Sequence, residues 1–156
     1  MGEVIRTDGS GCHGAEVRVA EDGRLLVVVS LPGLSERLTH RLEPGAPPPR
    51  RRLAALRRCR REGIDAGLRL APILPGLTDR QGQVERTIRA AMENGAQWLE
   101  ADVLRLPPPE RAPFLARLAM IRPDLVPLYR RRFGADGEPP RLWRERVLSM
   151  VSAARI

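Results

Sequence analysis

The sequence predicts an α/β fold, and three observations predict it. Short runs rich in Leu, Val and Ile, at residues 25–29 and at 68–74 with Arg69 its one charge, are each followed by a longer segment of helical period. Each run ends in Pro or Gly close to the next helix start. A further pair of strand-like runs flanks Asp22-Gly23, a strong hairpin signal. Strand and helix then alternate three times, the pattern of a parallel sheet with crossover helices, either part of a barrel or an open sheet.

Length and composition bound the rest. A chain of 156 residues suits one domain with a real core. Aromatic residues are only 3%, so Leu, Val, Ile and Ala must build that core. No apolar run approaches the roughly 20 residues that span a bilayer, and residues 1–14 lack the apolar centre of a signal peptide. A cytoplasmic location and no membrane partner are the expectation. The net charge is +8, and all 27 basic residues are Arg. Arg pairs bidentately with phosphate, which points to a polyanion; GC-rich coding accounts for the same bias. The aromatics on which single strands stack are nearly absent.

In chain order, residues 1–14 are polar, Gly-rich and expected to be flexible. Val17 and Val19 alternate with charge, and the uncharged 25–29 run is a central strand ended by Ser30. Ser35 opens a short helix to about Leu42. Residues 43–49, EPGAPPP, stop it. The next helix places Leu53, Leu56 and Ile64 toward a core, with Arg on the other side and Gly63 as its C-cap. Leu68, Leu70, Ile73 and Leu74 form a strand buried on both faces, which Pro72 and Pro75-Gly76 end. Thr78 or Asp79 is the expected N-cap of a helix over 80–94, whose stripe is Val84, Ile88, Ala91 and Met92. Residues 96–106 read as the third inner strand. Helices follow at 110–121 and 123–129, then a GADGEPP turn and a last helix over 142–154 with Trp143, Val147 and Val151 inward.

Few residues carry chemistry on their own. Cys12 and Cys59 make no disulfide framework, and alone they cannot complete a zinc or iron–sulfur site. Cys12 adjoins His13, and His40 is the other histidine. Cys59 lies in RRCRR, where converging Arg would lower its pKa. Glu100 and Asp102 share one strand face and could do acid–base work or hold a cation. Arg50, Arg51, Arg52, Arg57 and Arg58 crowd one helix, either a solvated face or one that tracks phosphates.

Three stretches together resemble a known family. They are LVVVSLPGLSERLTHRLEPGAPPPRRRLAALRRCRREGI, LRLAPILPGLTDR and LRLPPPERAPFLARLAMIRPDLVPLYRRRF. In this order they resemble the later half of radical SAM proteins, in the branch of spore-photoproduct-lyase-like and DNA-repair-photolyase-like proteins, over residues 25–133. The resemblance implies the later βα units of a partial (β/α)6 barrel over 15–133, with an N-terminal hairpin and, at 134–156, a C-terminal turn and helix. It implies S-adenosyl-L-methionine and a [4Fe-4S] cluster as family cofactors, and radical chemistry of lyase or DNA-repair type. By position it implies cofactor contacts at Ser30, Pro72, Pro75, Gly76, Thr78 and Leu104, with Leu106 beside the last. Glu43 and Arg50 fall in the family's EPG loop and have no assigned role.

The departure is as specific as the match. The family's three cluster cysteines, in a CxxxCxxC-like loop, have no counterpart here, nor do the first barrel strands. This chain is therefore expected to bind no cluster and to cleave no cofactor by itself. Three accounts remain: a truncated or split gene product, a degenerate domain kept for binding, or an unrelated α/β enzyme. The expected partners are a protein carrying the missing barrel half, a second copy of the chain, or nucleic acid. An open inner face also predicts poor solubility or assembly with a partner.

Overall fold

The computed structural model describes residues 4–5 and 14–154. Strand β1 (Val4–Ile5) is antiparallel to β2 (Ala15–Val19), and β2 is antiparallel to β3 (Leu25–Ser30). Strands β3, β4 (Asp65–Ile73) and β5 (Leu99–Val103) run parallel. They form one sheet in the order β1-β2-β3-β4-β5. Helices α1 (Glu36–Leu42) and α2 (Pro49–Arg61) follow β3, and α3 (Gln81–Glu93) follows β4. After β5 come α4 (Pro108–Ile121), a 3-10 turn (Pro123–Leu125), α5 (Val126–Arg132) and α6 (Arg141–Ala153). The chain is an α/β protein. Strand β1 lies within the segment expected to be flexible, and residues 1–3 and 6–13 of that segment, with Cys12 and His13, are outside the described residues.

Local chemistry sets the boundaries. Gly23 closes the hairpin at φ +82°, and Asp22 Oδ1 accepts from the Arg24 amide at 3.1 Å. Ser35 Oγ accepts from the Leu38 amide and caps α1. Pro49 and Pro108 start α2 and α4, where the missing N–H is no loss because the first turn has no partner for it.

Residues alternate across the sheet. Val29, Leu31, Leu68, Leu70 and Val103 face one side, where they meet Leu56 of α2, Val84 and Ile88 of α3, and Trp143, Val147 and Val151 of α6. Helix α6 is thus part of the same core. A second cluster gathers beyond the strand ends: Leu74, Leu104, Leu106, Leu118, Tyr129 and Phe133.

Several expectations are corrected. Pro72 does not end β4; the strand continues to Ile73 across a cis Ala71-Pro72 bond, and its register against β5 shifts between Leu70 and Ile73. The bulge frees that position from donating to the ladder. Strand β5 covers 99–103 rather than 96–106, although the Leu104 amide still donates to the Ile73 carbonyl. Ile64 and Met92 are exposed, because Ile64 follows the turn that ends α2 and Met92 lies off the buried Val84–Ile88–Ala91 stripe. Arg52 is buried at 3% exposure rather than lying on the solvated Arg face. Its Nη1 donates to the Ser30 carbonyl (2.9 Å), its Nε to the Pro47 carbonyl (2.8 Å) and its Nη2 to Glu43 Oε2 (2.5 Å).

The other sheet face is polar and curved. Arg18 of β2 reaches Glu100 of β5 at 2.6 Å and also pairs with Glu16, while Arg69 of β4 lies 3.8 Å from Glu16. Two strands separate β2 from β5. On a flat sheet three strand spacings and a four-residue offset would hold the two backbones about 19 Å apart. That exceeds the combined reach of Arg and Glu, so along this diagonal the twist and coil of the sheet make it concave on this side.

The Arg52 contacts join the end of β3 to the EPG loop. Truncation would leave two part-buried carbonyls and the Glu43 carboxylate without this partner, so Arg52→Ala should cost about 2–4 kcal/mol. Arg57→Ala, on an exposed face, should stay within about 0.5 kcal/mol. Urea denaturation of both variants checks the contrast.

Candidate functional site

The loop after β4 is where the sequence places a ligand. In the structure its polar groups bind other parts of the chain. Thr78 Oγ1 accepts from the Leu74 amide (2.8 Å). Asp79 Oδ1 accepts from the Gly76 amide (2.9 Å), and its Oδ2 accepts from Trp143 Nε1 on α6 (2.9 Å), with Arg146 3.8 Å away. Neither residue caps α3, whose N-cap is Arg80 with no side-chain bond. Their oxygens turn back because Gly76, at φ +74°, reverses the chain and aims its amide at Asp79.

Helix α5 covers this loop. Tyr129 Oη donates to the Pro75 carbonyl at 2.8 Å, and its ring stacks between Phe114 and Phe133 at 5.6 Å from each. A Cβ on Gly76 would lie 3.1 Å from Leu125. Burial, and then the negative charge of Asp79, hold the Tyr129 hydroxyl well above the usual tyrosine range, with Arg132 acting the other way.

The named cofactor residues are therefore divided. Pro75, Thr78 and Leu104 are buried at the strand ends, Leu104 within the second apolar cluster. Ser30 and Pro72 are half-buried. Register places Ser30 beside Arg69, and Arg69 beside Glu100, on the concave face. That face carries Glu16, Arg18, Ser30, Arg69, Glu100 and Asp102. Trp98 closes its lower end: its indole lies over Gly67, where a Cβ would come within 2.1 Å, and its Nε1 donates to Asp65 Oδ1 (3.1 Å). Sequence reasoning found the Glu100–Asp102 pair but missed Arg18 and Arg69 opposite it. The charges alternating with Val17 and Val19, and Arg69 within the apolar 68–74 run, were the available signal.

Two other candidates resolve differently. Burial pushes the Cys59 thiol up, against smaller opposing effects of its own backbone and Arg58, so the flanking arginines do not make it a ready thiolate. Arg50 pairs with Glu36 at 2.5 Å, whereas Arg51, Arg57 and Arg58 are exposed and make no ion pair among the described residues. Among those residues no three His, Cys, Asp or Glu side chains gather as metal ligands. No helix there is long and apolar enough to cross a membrane.

No family model matches the chain, and no solved structure matches it significantly. Its curated relatives include uncharacterized proteins of Mycobacterium bovis and Mycobacterium tuberculosis. Each is 31% identical over 134 residues, covering 83% of this chain. The chain spans 39% of the length of these relatives.

The Tyr129 contact yields a pH prediction. Its hydroxyl stays protonated in the fold to a higher pH than in the unfolded chain. Its contribution is therefore complete below about pH 10 and is lost as pH rises above it. Tyr129→Phe should cost about 1–3 kcal/mol near neutrality by leaving the Pro75 carbonyl unpaired. The same variant should flatten the alkaline fall in stability, as read by chemical denaturation from pH 8 to 11.

Proposed function

We propose that this chain forms the later βα units of a radical-SAM-type barrel, in the branch of spore-photoproduct-lyase-like and DNA-repair-photolyase-like proteins. The observation that carries the reading is the concave polar face, drawn inward by the Arg18–Glu100 pair and backed by helices on its other side only. A barrel segment has this form: apolar toward its helices, polar toward its lumen. The resembling blocks also fall where the reading needs them. Ser30 ends β3, the EPG loop joins α1 to α2, and the PGLTD segment leaves β4. Strand β5 is a sheet edge to which a further strand could add.

The concave face offers both signs of charge to a zwitterion such as S-adenosyl-L-methionine, with Ser30 and Pro72 at its strand-end rim. A [4Fe-4S] cluster fits less well, because no ligand set for it exists among the described residues. Radical chemistry of lyase or DNA-repair type would thus need cluster ligands from elsewhere, through a partner or a longer protein. The test is a titration of S-adenosyl-L-methionine into the chain, followed by amide NMR. Shifts should concentrate at Ser30, Arg69, Ala71 and Glu100. Shifts confined to other surfaces, or none at millimolar ligand, would sink the reading. Anaerobic iron–sulfide reconstitution should give no four-iron uptake by this chain alone.

A second reading rests on the unpaired arginines of α2: a non-catalytic basic module that follows a nucleic-acid backbone. With Arg51, Arg57 and Arg58 on phosphates, log affinity against log salt should fall with a slope of roughly −2 to −3. A flat salt dependence would exclude it.

A further inference from the structure

Beside the ends of β3 and β4, between the loop after β3 and helices α1 and α3, lies a cavity of about 180 Å³. Ser35, Thr39, Thr78, Gln83, Arg86 and Thr87 supply its polar lining, and no carboxylate lines it. The three threonines are nearly closed from solvent, at 3%, 5% and 2% exposure. Thr87 donates to the Gln83 carbonyl (2.8 Å). Thr78 Oγ1 accepts from the Leu74 amide, which leaves its proton to donate. Thr39 lines the cavity from α1.

A buried polar atom without a partner is costly, and Gln83 Oε1 is one, so such a cavity favours an occupant that hydrogen-bonds it. Arg86, exposed at the mouth, makes no ion pair among the described residues. Hydroxyl donors and a guanidinium, with no carboxylate beside them, select an anion. One acceptor narrows the choice. Gln83 Nε2 donates to the Leu77 carbonyl (2.9 Å), which fixes the amide, and its Oε1 is buried without a partner. An anion that carries a proton of its own can satisfy that oxygen.

We infer that this cavity binds inorganic phosphate, which keeps a proton of its own near neutrality. The site is separate from the concave face and does not depend on the radical-SAM reading. Phosphate retains a P–OH near neutrality and sulfate does not, so the cavity should prefer phosphate.

The test is titration of inorganic phosphate into the full chain at constant ionic strength, by calorimetry or phosphorus NMR. Saturable binding is expected. Arg86→Gln and Thr39→Val should each weaken it about tenfold or more, with Tm unchanged. Thr39→Ser, which keeps the hydroxyl, should restore it, and sulfate should bind less tightly than phosphate. Three outcomes would overturn the inference: no saturable binding, equal binding by both variants, or loss of binding in an Arg57→Gln/Arg58→Gln variant instead. The last would place the anion on α2.

Discussion

The carboxylate of Asp79 is the contact on which the arrangement beyond β4 depends. One oxygen holds the Gly76 amide and so closes the turn that ends β4. The other holds the Trp143 indole and so fastens α6, which belongs to the sheet's own core. The Thr78 bond to Leu74 and the Tyr129 bond to Pro75 complete the fastening from two further directions. These four hydrogen bonds carry the strand-end loop into both apolar clusters at once. A loop built this way is a structural joint, and apart from the Thr78 hydroxyl proton its side-chain polar groups are already used.

That allocation shifts attention to the two places where polar groups remain available. The concave face keeps Arg18, Arg69, Glu16 and Glu100 in one network. Its curvature follows from geometry, since the Arg18–Glu100 contact cannot form across a flat sheet. The apolar side of the same sheet is filled by α2, α3 and α6, so curvature and helix packing reinforce each other. The Thr39 cavity lies near the same strand ends but opens between helices, apart from the concave face.

Much of the fold was legible because its signals are local. Asp22-Gly23, Ser35 before α1, Gly63 after α2 and the Val84–Ile88–Ala91 stripe each act within one turn or one helix face. The misses are tertiary. Pro72 stays in β4 because a register shift absorbs it, which no local pattern announces. Arg52 looks like its arginine neighbours in sequence and is singled out by carbonyls of Ser30 and Pro47, distant along the chain. Asp79 has the position of an N-cap, but Trp143, 64 residues later, claims its second oxygen. Of the candidate site, the strand-end loop was visible in its prolines and glycine, while its occupation by Tyr129 was not. Arg18 and Arg69 were hidden because Glu100, and Glu16 for Arg69, are brought to them only by the sheet.

The claim that the loop after β4 is a joint rather than an open ligand site is tested most directly by native-state hydrogen exchange of Asp79→Ala. The account predicts that amides of α6 and of residues 74–78 lose protection together, while those of β2 and β3 keep theirs. Unchanged protection of α6 in this variant would contradict it, because Trp143 would then be held in place without the carboxylate.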